Sequence, residues 1–179
     1  RQDPDIMMVG EVRDLETAQI CMRSALTGHL VLTTLHTNDA PSAASRLMDI
    51  GVEPYMLAPS LLLVIAQRLI RKLCVECKEA YEPTTEQLKG ANIKVDLIYR
   101  HRGCAKCNNT GYRGRTNICE VMPCTIEVQD LINQRAPYQK IREIARNAGM
   151  QTLYESGIKK VESGVTSLEE VFSVTLGVE

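Results

Sequence analysis

Two short cysteine pairs limit what this chain can fold into more than any other feature. Cys74 and Cys77 form one C-x-x-C unit, Cys104 and Cys107 form a second, and residues 78–103 lie between them. Two such knuckles can bring four thiolates onto one tetrahedral Zn²⁺, with sulfur about 2.3 Å from the metal. A closed four-sulfur site keeps no open position for a substrate, so its role is structural. Two unmetallated surface pairs are the alternative, and the repeated spacing argues against it. The intervening loop is longer than the commonest zinc-ribbon spacing, which affects the local fold more than the metal. With seven cysteines and no secretory segment, a reducing compartment and metal binding are favoured over disulfides. Cys21, Cys119 and Cys124 have no such partner and read as small core residues.

A second constraint lies near the N-terminus. Ile6 to Val9 is a continuous apolar run, as expected of a parallel strand buried on both faces, and polarity switches at Gly10 and Glu11. Asp14 can cap a helix in which Leu15, Ala18, Met22 and Ala25 recur at helical spacing, with Gly28 ending it. Leu30 to Leu35, rich in Val and Thr, is the next strand. Strand, helix, strand in this order implies a right-handed crossover and a parallel sheet. Ligands of open α/β sheets bind at the ends of such strands.

Glu11 is then placed to orient or deprotonate a water for attack on a terminal phosphate, with Gly10 allowing close backbone approach. A solvated loop glutamate after a core strand is the alternative. His29 enters the second strand and His36 leaves it, so the two lie roughly 20 Å apart. His36 arrives at the same sheet edge as Glu11 and is the candidate γ-phosphate sensor. It could also be a turn residue bonding nearby backbone, and a structural role at the helix-to-strand junction is favoured for His29.

The remainder divides by texture. After Thr37, Asn38 and Asp39 a helix runs to about Ile50, Gly51 ends it, and a longer helix from about Pro54 is expected to reach the first cysteine pair. The apolar stretch Met56 to Ala66, interrupted by Pro59 and Ser60, reads as a buried helix, well short of the roughly 20 residues that span a bilayer. Three regions follow: residues 1–72 as an α/β core, 73–122 as a tetracysteine module, and 123–179 as a helical region. In the last, Ile141, Ile144, Ala145 and Ala148 mark one helix and Leu153 to Val161 another, while Ser167 and Glu170 form a capping box before Leu168, Val171, Phe172 and Thr175.

Composition narrows the function. A formal net charge of −1 gives no general attraction to nucleic acid or anionic lipid, and one Phe with no Trp leaves little for base stacking. Arg68, Arg71, Lys72, Arg100, Arg102, Lys106, Arg113 and Arg115 do cluster around the cysteines. Four thiolates on Zn²⁺ carry a formal charge near −2, and offsetting that charge is a sufficient reason for these cations. Contact with a phosphate-bearing surface is the sharper alternative. No Gly is followed by Lys, so the phosphate-cradling G-x-x-x-x-G-K-[ST] loop is missing, and the start on Arg1 leads to the expectation of a fragment cut from a larger protein.

Together the motifs resemble a family. RQDPDIMMVGEVRD is similar to the signature of the secretion ATPase superfamily, and TGHLVLTTLHT resembles its histidine box. CVEC with CAKCNNTGYRGR resembles the tetracysteine module of its type II secretion and type IV pilus extension members, which retraction-type pilus ATPases lack. The resemblance covers essentially the whole chain. It implies the C-terminal part of a RecA-like P-loop ATPase core, an α/β fold carrying a zinc-binding insertion and a helical C-terminal region. It further implies a cytoplasmic homo-hexamer, peripheral to the inner membrane through platform proteins, that uses ATP and Mg²⁺ to drive pilin or pseudopilin assembly, with structural Zn²⁺ and no nucleic-acid partner. Carried over by position, Glu11 matches the Walker B glutamate, His29 and His36 match the histidine box, and Cys74, Cys77, Cys104 and Cys107 match the zinc ligands. Arg13 lies within the matching signature and is implied to couple the site to its surroundings. Gly10 replaces the Asp that usually precedes the catalytic acid, a family feature that leaves the Mg²⁺ ligands open. IYRHRGCAKCNNTGYRGR and SGIKKVESGVTSLEEVFSVT are closer to the type II secretion members.

Two rivals belong to other classes. A zinc-ribbon nucleic-acid adaptor without ATPase activity would account for the basic cluster. A chaperone-like zinc module would account for CAKCNNTGYRG, although Asn109 stands where that pattern has its first Gly and only Gly111 fits.

Overall fold

A computed structural model describes residues 4–175. In chain order the elements are β1 (Ile6–Val9), α1 (Leu15–Leu26), β2 (Leu30–Thr33), α2 (Ser42–Ile50), α3 (Pro54–Ser60), β3 (Leu63–Leu73), β4 (Glu79–Tyr81), α4 (Thr85–Ala91), β5 (Ile98–Arg100), a 3₁₀ turn (Ala105–Cys107), β6 (Tyr112–Pro123), α5 (Ile126–Asn133), α6 (Tyr138–Asn147), α7 (Leu153–Glu162) and α8 (Leu168–Thr175). Of the N-terminal signature stretch, Arg1, Gln2 and Asp3 lie outside the described residues. The described residues fold into two compact units, residues 4–66 with 121–150, and residues 67–120 with 151–175. These units and the three regions of sequence texture are different divisions of the same chain.

In the first unit β1 and β2 pair in parallel, Ile6 opposite Leu30 and Val9 opposite Thr33, as the strand–helix–strand pattern requires. Between them α1 is capped by Asp14, whose Oδ1 accepts the Thr17 N–H at 2.8 Å. Its inner residues Ala18, Cys21 and Met22 join Val12, Ala44, Leu47, Leu57, Val128, Ile132 and Ile141 in one apolar core. Gly51, with φ +108°, ends α2 in the left-handed conformation expected of it. One expectation fails here: Ile6 and Met8 are 61% and 77% exposed, so among the described residues β1 has one packed face rather than two.

The segment after Pro54 also departs from the sequence reading. The helix stops at Ser60 and Leu63–Leu73 is an 11-residue strand that pairs with β6. Its buried residues Ala66, Ile70 and Leu73 stand four and three residues apart, which mimics a helical stripe although the backbone is extended. Pro59, lying inside the short α3, cannot supply a donor to a longer helix.

In the second unit, antiparallel β4 and β5 align Glu79 with Arg100 and Tyr81 with Ile98, and α4 connects them. The helix begins on a reciprocal Thr84–Gln87 capping box. That small insertion explains the long gap between the two knuckles. Ala91, Ile93 and Ile98 pack with Ile158, Val161, Leu168 and Val171 of α7 and α8. The anticipated capping box at α8 is half made: Ser167 Oγ accepts the Glu170 N–H at 3.3 Å, but the Glu170 carboxylate turns to Arg71 instead.

Candidate functional site

The loops leaving β1 and β2 run side by side. Val12 N–H donates to Thr34 C=O at 3.1 Å and Thr34 Oγ1 donates to Gly10 C=O at 2.6 Å, so strand pairing continues beyond the last ladder residues. Val12 is buried, and the residues on either side of it project outward. Glu11 and His36 therefore meet: the imidazole Nε2–H donates to Glu11 Oε1 at 2.9 Å, and the Arg13 guanidinium pairs with Glu11 Oε2. The Glu11 side chain is 20% exposed while those of Arg13 and His36 are 75% and 86% exposed, so a carboxylate at the floor of the site is flanked by two freely reachable donors. The hydrogen bond from Arg13 holds the Glu11 carboxyl below its ordinary value; slight burial opposes this, and the charges of Arg13 and His36 reinforce it. The carboxylate is ionised at neutral pH and able to accept a proton.

His29 is not brought to this constellation. It begins β2 at the far end from His36, and its Nδ1 lies 3.0 Å from Ser24 C=O and 3.2 Å from Thr27 Oγ1. At Gly10 an added Cβ would meet nothing within 4 Å, so packing among the described residues does not require glycine there. Thr34 was missed by sequence reasoning, its signal being only the second Thr of a Thr-rich strand.

The four paired cysteines converge. Their Sγ atoms all lie within 4.8 Å of one another, with Cys74–Cys104 and Cys77–Cys107 at 3.9 Å and Cys104–Cys107 at 3.7 Å. Four sulfurs at about 2.3 Å from one tetrahedral ion would stand about 3.8 Å apart, so the donor set and spacing fit Zn²⁺. Burial pushes the Cys77 thiol up to about 11. Burial also raises Cys107, but N–H donation from Cys104 and Gly111 with support from the neighbouring thiols more than reverses this, bringing it to about 6. Gly111 has φ +76°, and a Cβ there would come within 2.6 Å of His101 Cβ, so the second knuckle needs glycine at this place. Asn108 and Asn109 adopt φ of +52° and +60°, the left-handed turn that Asn tolerates better than most residues.

The family profile described as Type II/IV secretion system protein matches residues 1–173. The chain belongs to that family. It is 51% identical over 178 residues to the type II secretion system ATPase E of Vibrio cholerae, covering 98% of this chain and 35% of the relative. It is 48% identical over 181 residues to the type IV pilus assembly ATPase PilB of Myxococcus xanthus, covering 98% of this chain and 32% of that protein. The chain thus spans about a third of the length of these relatives. Among solved structures, the Legionella pneumophila ATPase DotB superposes with TM-score 0.67 at 22% identity, covering 99% of this chain and 40% of that one. The pilus retraction motor PilT superposes with TM-score 0.66 at 27% identity, covering 97% of this chain and 40% of that one. The fold is accordingly the α/β, RecA-like ATPase architecture inferred from the motifs.

Within this type II/IV secretion family chain, several cations around the cysteines are engaged by neighbouring carboxylates. Arg100 and Arg102 reach Glu79 at 3.3 and 2.8 Å, Lys106 reaches Glu76 at 3.1 Å, and Arg71 pairs with Glu170. These four are paired with carboxylates rather than with the thiolates whose charge they were expected to offset, and nothing in the comparisons supports a nucleic-acid adaptor. No helix among the described residues is long and apolar enough to cross a membrane.

Proposed function

We propose that this chain carries the water-activating half of an ATPase site in a motor that powers type II protein secretion or type IV pilus assembly. The observation that carries the reading is the Glu11–His36 contact of 2.9 Å at the ends of adjacent parallel strands, in a chain of this family. The ionised Glu11 accepts a proton from water as the water attacks the terminal phosphate of ATP. His36 Nε2–H, now on Glu11, can transfer its hydrogen bond to a phosphate oxygen, so that the presence or loss of that phosphate is felt at the carboxylate. Arg13 lowers the Glu11 pKa below its ordinary value, and His29 ties α1 to β2. The names and identities of the relatives support secretion and pilus assembly; a homo-hexamer working in the cytoplasm at inner-membrane platform proteins is part of the same proposal.

The four cysteines would hold Zn²⁺, which supplies a rigid cross-link between the two knuckles. Mg²⁺ is implied by ATP hydrolysis, yet Glu11 is the one carboxylate of its constellation and both oxygens are engaged. Among the described residues the cysteines are the one group of three or more potential metal ligands. These residues do not by themselves form a Mg²⁺ site, and no step is assigned through that ion.

The test is made in the full-length protein. Glu11→Gln keeps shape and hydrogen-bond capacity but cannot take the proton, so turnover falls by about a hundredfold or more while nucleotide is retained. Undiminished ATP turnover in that variant removes Glu11 from catalysis.

A further inference from the structure

His36 does its work with an 86% exposed side chain, so packing does not hold the ring. Its position depends on the backbone on either side. Upstream the restraint is Thr34 on Gly10, with Leu35 turned towards the core. Downstream it is Asp39, a carboxylate left 8% exposed in the turn between β2 and α2.

Asp39 uses both oxygens and its carbonyl. Oδ1 accepts the Ser42 N–H at 2.9 Å, its C=O accepts Ser42 Oγ–H at 2.9 Å and Thr37 Oγ1–H at 3.1 Å, and Oδ2 accepts the hydroxyl of Tyr138. The first three are local and would form in many Asp-initiated turns. The fourth is different in kind, because Tyr138 is the first residue of α6 and stands 99 residues away. Helix α6 is itself fixed in the first unit by Ile141 and Ala145, which are buried in its core. A buried carboxylate is costly unless its hydrogen bonds are made, so this contact locks the turn more firmly than a surface bond could.

We propose that Tyr138, through its hydrogen bond to the buried Asp39 carboxylate, is a positioning residue that holds the His36 loop against Glu11. The inference rests on the catalytic reading of Glu11 and His36 given above. Without the Tyr138 hydroxyl the turn at 37–39 relaxes, and the imidazole loses its fixed distance from the carboxylate. Displacements of about 1 Å at a reacting group can lower rate up to a hundredfold while leaving substrate binding nearly intact.

The experiment is a double-mutant cycle in the full-length protein, with Tyr138→Phe and His36→Ala made singly and together. Tyr138→Phe alone lowers kcat about tenfold with KM for ATP changed less than about twofold, and in the His36→Ala background it changes kcat less than about twofold. Asp39→Asn, which can still accept from Ser42 and bond the tyrosine, stays near wild type, whereas Asp39→Ala behaves like Tyr138→Phe. In parallel, imidazole NMR of histidine-labelled protein shows the His36 resonance shifted or broadened in Tyr138→Phe and the His29 resonance unchanged. Wild-type kcat in Tyr138→Phe, an equal loss with and without His36, or an unmoved His36 resonance each overturns the proposal. The resonance reads loop position and Glu11→Gln reads catalysis, so failure of one is distinguishable from failure of the other.

Discussion

At the scale of single residues, the candidate site is a carboxylate whose pKa is lowered by a guanidinium two positions along. Arg13 is the largest influence lowering the Glu11 pKa. Replacing it by Gln removes that stabilisation of the charged form, so the carboxyl rises towards its ordinary value. A group needed as a base works only above its pKa. The acid limb of kcat/KM against pH for ATP hydrolysis therefore moves to higher pH in Arg13→Gln, while the rate at pH 7 changes little from this cause. Added salt narrows the difference between the two profiles, because Arg13 is largely exposed. An acid limb that stays put or moves to lower pH would separate Arg13 from the ionisation of Glu11. The meeting of Glu11 and His36 was legible from sequence because parallel strands that start together also end together, and each residue follows its strand by a short step. The bond from Tyr138 to Asp39 was not legible, since no local periodicity links residues so far apart in the chain.

At the scale of elements, β3 is tied to the entry to α8 by several hydrogen bonds. The Arg71 N–H and Nε–H donate to the Glu170 carboxylate at 2.8 Å each, Thr166 Oγ1 donates to Arg71 C=O at 2.8 Å, and Leu73 N–H donates to Val165 C=O at 2.9 Å. Glu170 is buried, which by itself would raise its pKa, but the bonds from Arg71 more than reverse this and leave it lowered. A lowered folded-state value means stability that is present above the ordinary carboxylate pKa and lost as pH falls through the folded one. Arg71→Met keeps the backbone N–H bond but removes both guanidinium bonds to the buried carboxylate, and costs about 2 kcal/mol at pH 7. The deficit shrinks towards pH 4 as the carboxyl protonates, which thermal melts across that range would register. A deficit constant with pH would mean the pair is not the source of the stability. This tie also shows why β3 escaped the sequence reading. Arg71 and Lys72 break the alternation just where Leu73 turns inward, and the buried residues then fall at helical intervals. By contrast β1, α1, β2 and α7 were legible because caps, glycine stops and apolar periods agreed with one another.

At the scale of the whole molecule, the chain leaves its first unit at β3, builds the second around the cysteines, returns through β6 to α5 and α6, and closes on α7 and α8. Among the described residues each unit has its own apolar core, and that of the second is divided between two small clusters, one of them centred on Ile70, Ile118 and Leu153. Small separate clusters offer limited burial, so a metal cross-link at the four cysteines would contribute a large share of stability there. Zinc held here would need four thiolates, and without it Cys77 at about 11 and Cys107 at about 6 differ widely in proton affinity. Binding must therefore displace protons, and lowering the pH favours the metal-free form. Chelation at pH 7 is expected to strip amide-exchange protection from residues 67–120 and 151–175 while residues 4–66 and 121–150 retain most of theirs. Less chelator should be required at pH 6, and Cys74→Ser should reproduce the pattern without any chelator. If chelation leaves the second unit protected, or if protection is lost first in the first unit, the four cysteines do not secure the fold of the second unit and zinc has no structural role in it.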